Sequence, residues 1–151
     1  MIQRIQTIYL LLIAGLMLAM LFLPVASFTG DGVGYTFNAK GIFSLSDMGN
    51  AVSCTWPVSI SGAAALVLSL CAIFLYKNRP LQIKIVGIAV SMILIQLAAI
   101  AFYGFTFQSQ APGFQFEIAL SFPLIAIVLG VLTISAVRKD ENLVKSLDRL
   151  R

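Results

Sequence analysis

Few residues in this chain can do chemistry. Its 151 residues contain no His, two Cys and six carboxylates. Without His there is no Ser-His-Asp or Cys-His nucleophile pair and no His-based zinc or haem site. No P-loop, dinucleotide fingerprint, C-x-x-C or H-E-x-x-H motif occurs. Gly30-Asp31-Gly32-Val33-Gly34 is glycine-rich but wrongly spaced for phosphate, and it reads as a flexible turn. Glu117 stands among Phe114, Phe116 and Phe122. A carboxylate with no second acid, base or metal ligand beside it reads as a rim charge rather than a catalyst. Cys54 and Cys71 lie 17 positions apart. On one straight helix that is about 25 Å of rise, well beyond a disulfide's α-carbon reach of about 7 Å. They are expected to be two small buried side chains. The expectation is therefore a protein that is not an enzyme, with no catalytic, cofactor or metal residues.

The setting of these residues is apolar. Some 60% of the chain is hydrophobic and 11% is charged, against about 45–50% and about 25% in a soluble domain. Mean hydropathy is +0.98. Ten basic and six acidic side chains cannot cover a soluble globule, so the solvent is read as lipid. Four runs without Asp, Glu, Lys or Arg read as spans: 7–27, 57–76, 85–107 and 118–137. About 20 helical residues cross a hydrocarbon core of roughly 30 Å, and a helix satisfies every backbone donor within its own segment. The first run is too long for a signal peptide's apolar region, and Pro24-Val25-Ala26-Ser27 is a poor cleavage site.

The charges sort by loop. Arg4, Lys77, Arg79, Lys84, Arg138, Lys139, Lys145, Arg149 and Arg151, with Asp140, Glu141 and Asp148, fall on one side, net +6. Lys40, Asp31, Asp47 and Glu117 fall on the other, net −2, which recovers the chain's +4. Short Lys/Arg-rich loops stay in the cytoplasm, so both termini and the middle turn are expected there. Loops 28–56 and 108–117 then face out, and 138–151 is a cytoplasmic tail.

Both outer loops read as strands. Tyr35-Thr36-Phe37, a turn at Asn38-Ala39-Lys40-Gly41, and Ile42-Phe43-Ser44-Leu45 suggest one hairpin. Phe105-Thr106-Phe107-Gln108 and Phe114-Gln115-Phe116-Glu117, about Ala111-Pro112-Gly113, suggest another. An aromatic belt on helix ends is the alternative. Pro123 fits best in the first turn of the fourth helix, with Ser121 as its cap. In the tail, Leu143, Val144, Leu147 and Leu150 recur at helical spacing beside Lys145, Arg149 and Arg151. This is a basic amphipathic helix able to meet anionic headgroups or a partner. It shows no nucleic-acid fold or aromatic platform.

Gln96 is the polar group nearest the middle of a span, with Ser91, Ser69, Thr133 and Ser135 elsewhere in the apolar runs. Such a residue most often acts as interhelical glue, although it can also line a pore. Gly15, Gly62, Gly87 and Gly130 allow close helix contact, without a G-x-x-x-G pair inside a span.

Four segments resemble a known family. They are Met1-Ile2-Gln3-Arg4-Ile5-Gln6-Thr7-Ile8-Tyr9-Leu10; Asn78-Arg79-Pro80-Leu81-Gln82-Ile83-Lys84; Pro123-Leu124-Ile125-Ala126-Ile127-Val128-Leu129; and Arg138 through Arg151. The chain is similar over its full length to a bacterial family of small four-span membrane proteins, domain of unknown function 4293. Leu147 stands where a small residue is expected, which widens the apolar stripe. The resemblance implies a bacterial inner-membrane protein of no established activity, with its recognisable sequence, and so its partner, on the cytoplasmic face. The architecture also resembles claudin-like proteins, by analogy of fold alone. Trp56 fits that analogy, and the paired loop Cys is missing.

The expected fold is an all-α membrane fold. A four-helix transmembrane bundle carries a small extracytoplasmic β-sheet from its two outer loops and a cytoplasmic amphipathic C-terminal helix. The expected function is a non-enzymatic accessory or structural subunit. It meets the lipid bilayer and a larger membrane assembly, and no nucleic acid. The alternative is a small oligomeric transporter or channel with Gln96 lining the path.

Overall fold

The computed structural model describes residues 2–30, 32–46, 51–76, 78–109, 111 and 113–148, with the backbone alone for 2–4 and 143–148. Helix α1 (Ile2–Phe22) leads into strands β1 (Ala26–Gly30), β2 (Val33–Asn38), β3 (Gly41–Ser44) and β4 (Ala51–Cys54). Helices α2 (Trp56–Phe74) and α3 (Arg79–Gln108) follow, then β5 (Gly113–Phe116), a 3-10 turn (Ile118–Leu120) and α4 (Ser121–Asp148). Four of these helices are long and apolar enough to cross a membrane.

The helices form a ring in which α1 and α3 each pack against both α2 and α4. Each helix turns one stripe inward. On α3 the buried positions are 82, 86, 89, 93, 96, 100 and 107; on α4 they are 123, 126, 130, 133 and 137, continuing from 119 in the 3-10 turn. These spacings of three and four are the seam of a left-handed bundle. On α1 the buried set includes 6, 10, 13, 17 and 20, the same intervals as 82 to 96 on α3.

What distinguishes the seam is side-chain size. The α2 seam is Val58, Ser61, Gly62, Ala65, Ser69 and Ala72, and α4 contributes Ala126, Gly130 and Thr133, with Ala119 in the 3-10 turn before it. Larger residues such as Leu10, Ile13, Met17, Met20 and Ile93 come from the other two helices. Small residues let two helices close in while large ones fill the centre, as lipid-embedded packing requires. The outward sides are apolar too, with Leu11, Phe74, Leu94 and Val128 exposed, as suits helices able to cross a membrane.

At one end sits a five-stranded antiparallel sheet in the order β4-β3-β2-β1-β5. A two-residue connection at positions 31–32 joins β1 to β2, pairing Gly30 with Val33. Gly32 holds φ +76 there, a conformation that costs other residues and glycine little. The predicted turn between Asn38 and Gly41 links β2 to β3. Phe28 and Phe37 point inward and are fully buried. The sheet is tied to α2, because Thr55 Oγ1 and Ser59 Oγ donate to Ala39 O at 3.0 and 2.7 Å.

Several boundaries differ from the sequence expectation. Residues 7–27 are not all helix: α1 ends at Phe22, and Ala26-Ser27 opens β1. Pro24 disfavours helix in itself and in the residue before it, and the chain leaves extended. The second outer loop supplies one strand rather than a hairpin, because Phe105 to Gln108 remain in α3. Phe107 falls on the α3 seam, where burial outweighs the alternating pattern. Its ring lies edge-on to Phe28 and Tyr35, both at 5.2 Å. Pro123 sits in the first turn of α4 as expected, but Ser121 is inside the helix. Its hydroxyl donates to Ile118 O at 2.6 Å rather than capping. Both cysteines are unpaired and, against expectation, exposed. Cys71 lies one position off the α2 seam, and Cys54 ends an edge strand. The tail is continuous with the fourth helix, which runs unbroken to Asp148.

Candidate functional site

The ends of α1 and α3 nearest their first residues meet the ends of α2 and α4 nearest their last, opposite the sheet. This is the basic end. Arg79, the first residue of α3, reaches across to α4. Its Nη2 lies 3.5 Å from Asp140 Oδ2, and its Nη1 donates to Asp140 O at 3.1 Å. The pair is only partly screened by solvent, with side-chain exposures of 25% and 14%. It brings the middle turn and the start of the tail together, so two of the sequence-predicted segments form one surface. Lys84, Arg138 and Lys139 are exposed on it. Arg149, Arg151 and Lys77, and the side chains of Arg4 and Lys145, lie outside the described residues.

Inside the bundle, polar groups mark two levels. At the basic end, Gln82 is buried and donates through Nε2 to Ala72 O at 3.2 Å, joining α3 to α2. Gln6 is also buried there, and its Nε2 finds no partner among the described residues. Deeper, Gln96 is wholly buried. Its Nε2 approaches Met20 Sδ at 3.3 Å, and its Oε1 has no partner among the described residues. The opposing residue on α2 is Gly62. A Cβ there would stand 2.7 Å from Gln96 Nε2 and 3.5 Å from Leu21. Gln96 thus touches α1 and α2 at once, in the packed interior. The equivalent approach between α3 and α4 is Gly130 against Val90. Gly15 and Gly87 face open space, so two of the four predicted glycines serve close packing. Ser69 and Thr133 donate to carbonyls of their own helices.

At the sheet end, Glu117 accepts a 2.7 Å hydrogen bond from Ser27 Oγ, linking β1 to the residue after β5. Asp31 and Asp47 lie outside the described residues. Among the described residues, no three His, Cys, Asp or Glu side chains converge as metal ligands would.

Two apolar grooves open on the flanks. One, of about 500 Å³, runs beneath β1 and β5 between α3 and α4, with Phe37 and Ile100 on its floor and Phe105, Phe116 and Leu124 at its rim. The other, of about 550 Å³, lies between α1 and α2 at the basic end. Ile8, Leu11, Leu12, Ile73, Phe74 and Tyr76 line it.

The arrangement positions charge and apolar surface. Sequence reading named the basic residues and Gln96. It missed Gln6 and Gln82 as seam residues, although their spacing to Leu10 and Val86 matches on the two helices. It also missed both grooves, which no single segment encodes.

The model of one protein family, described as domain of unknown function (DUF4293), matches residues 2–150. The chain belongs to that family. No curated protein matches it.

Proposed function

We propose that this family member is a non-enzymatic accessory or structural subunit of a larger bacterial inner-membrane assembly, docking through its basic end. Both termini and the Arg79 turn face the cytoplasm in this reading, because short Lys/Arg-rich segments are retained there. The sheet caps the outer side, an arrangement analogous to claudin-like proteins in fold alone.

One observation carries the reading. The Arg79–Asp140 contact fixes the middle turn against the last helix, while Lys84, Arg138 and Lys139 stay exposed beside it. A rigid frame holding outward cations is suited to an acidic protein surface. Such complementarity steers association and fixes orientation.

The test is affinity capture of the full chain from native membranes in mild detergent, with crosslinking mass spectrometry. A stoichiometric membrane partner is expected, with crosslinks concentrated at Lys84 and Lys139. Reversing Lys84, Arg138 and Lys139 to Glu releases it while the helical spectrum stays unchanged. A solitary chain under these conditions overturns the reading. Flux through proteoliposomes, abolished by Gln96→Leu, would instead support the transporter alternative.

A further inference from the structure

Strand β4 is an edge without a neighbour. The sheet runs β4-β3-β2-β1-β5, and among the described residues no strand pairs with the far side of β4. On its near side Gly41 stands opposite Cys54 and Ile42 opposite Ser53; Phe43 then meets Ala51, so Val52 is the extra residue of a bulge. Thr55 N donates to Lys40 O at 3.5 Å, which makes Gly41 and Cys54 a non-hydrogen-bonded pair. The N–H and C=O of Cys54 therefore point to the open side. Free edges are normally defended by Lys, Pro or inward charges. Ala51 to Trp56 include none of these, whereas β5, at the other edge, stands between Pro112 and Glu117.

Unpaired backbone groups select a strand as the occupant, and symmetry selects which strand. Two antiparallel strands are related by a two-fold axis perpendicular to their sheet, so such an edge is complementary to itself. The bundle lies against one face of the sheet, where Phe107 meets Phe28 and Tyr35. That axis keeps both bundles on one side, so the candidate spans of both copies can enter one membrane in the same sense. A parallel pairing would turn one sheet over and send the bundles opposite ways. Self-pairing also sets a segment against itself, where like charges would repel, and this segment is neutral. From this free, neutral edge we infer that two copies of the chain join through antiparallel pairing of β4 with β4, centred on Cys54, into one ten-stranded sheet. Each Cys54 N–H donates to the other copy's Cys54 C=O, and the two α-carbons stand about 5.5 Å apart. The register brings Val52 of one copy beside Trp56 of the other, both more than half exposed in the single chain. The contact lies at the sheet end, apart from the docking surface at the basic end.

The test uses the full-length chain in liposomes at low protein density. In Cys71→Ser the thiol of Cys54 is the only one left. Diamide, which takes up the two thiol hydrogens, is expected to link most chains as disulfide dimers, because the proposed spacing lies within disulfide reach. With both cysteines replaced by Ser, Ser109→Cys, also exposed at the sheet end, links few. Förster transfer between donor- and acceptor-labelled copies of that Ser109→Cys chain then reports the dimer without the native thiols. Transfer well above random mixing is expected with Cys54→Ser. It falls to random mixing with Cys54→Pro, which deletes the N–H on the open side and leaves the bonds to β3 in place, while circular dichroism stays unchanged. Transfer at the random level with Cys54→Ser overturns the dimer. Transfer that survives Cys54→Pro overturns the edge as its seat. A dimer that diamide cannot link through Cys54 overturns the register.

Discussion

Replacing Gly62 with Ala separates two opposing effects. In a helix interior the change adds about 1 kcal/mol of intrinsic stability. Here the new Cβ would stand 2.7 Å from Gln96 Nε2 and 3.3 Å from Gln96 Cδ. Gln96 is fully buried, so its amide cannot swing into lipid to make room. Overpacking of this kind costs about 1–3 kcal/mol. The upper half of that range applies, and Gly62→Ala is expected to destabilise by about 1–2 kcal/mol net. Gln96→Leu removes the atom in the way, together with a weak contact to Met20 and an unpartnered carbonyl oxygen. Releasing such an oxygen is worth about 1–3 kcal/mol, against about 0.6 kcal/mol for an average side-chain bond between membrane helices. Gln96→Leu alone is therefore neutral or stabilising. In its background Gly62→Ala becomes nearly free, a coupling of about 1–2 kcal/mol between residues in contact. The assay is unfolding of the purified chain in mixed micelles by titrated dodecyl sulfate, followed by far-ultraviolet circular dichroism. Gly15→Ala, which meets nothing within 4 Å, is the control and loses no stability. Equal costs for Gly62→Ala in both backgrounds would refute the reasoning.

Gly130→Ala drives a Cβ into Val90 and is expected to cost about 1–2 kcal/mol net in the same titration, with Val90→Ala relieving part of it. Phe107→Ala removes the ring shared by Phe28 and Tyr35. A loss of about 3–5 kcal/mol and of near-ultraviolet dichroism follows. Arg79→Gln unties α3 from α4 at the basic end; the partly exposed pair is worth about 1 kcal/mol, read as a lowered unfolding midpoint. With Cys54 and Cys71 replaced by Ser, Asn38→Cys and Ser146→Cys should react with an impermeant maleimide from opposite sides of the membrane. Labelling of both from the same side would overturn the proposed topology, and labelling with the sides exchanged would invert the orientation.

Four spans were legible because their runs lack charge, and length alone then identifies a helix that can cross lipid. Which side of each helix faces inward was harder. In water, apolar residues mark the buried face, but Leu11 and Phe74 are apolar and exposed. The readable signal was the reverse one: Gly62, Ser69, Gly130, Thr133 and Gln96 recur at seam spacing because lipid offers small and polar groups no better place. The sheet was legible in part. Asn38 to Gly41 announced its turn, and Asp31-Gly32 is a strong hairpin dipeptide whose meaning was hidden among neighbouring glycines. Residues 26 and 27 were assigned to the first span because Val25 and Ala26 prolong its apolar run, and only Pro24 marks the break. Phe105-Thr106-Phe107 imitates a strand through alternation alone. Its helical state depends on Phe28 and Tyr35, residues some 70 to 80 positions away that no local pattern reports. The grooves were invisible for the same reason.

The pairing of β1 with β5 has a consequence for biogenesis. Strands β1 to β4 emerge from the ribosome as one contiguous meander, before α3 exists. Until residues 113–116 arrive, Ala26 to Gly30 offer an open row of amides and carbonyls. Such a row invites pairing with a neighbouring nascent chain. The last strand therefore acts as a clasp, and a translational pause or truncation before Gly113 would leave the protein able to swap this strand with another copy.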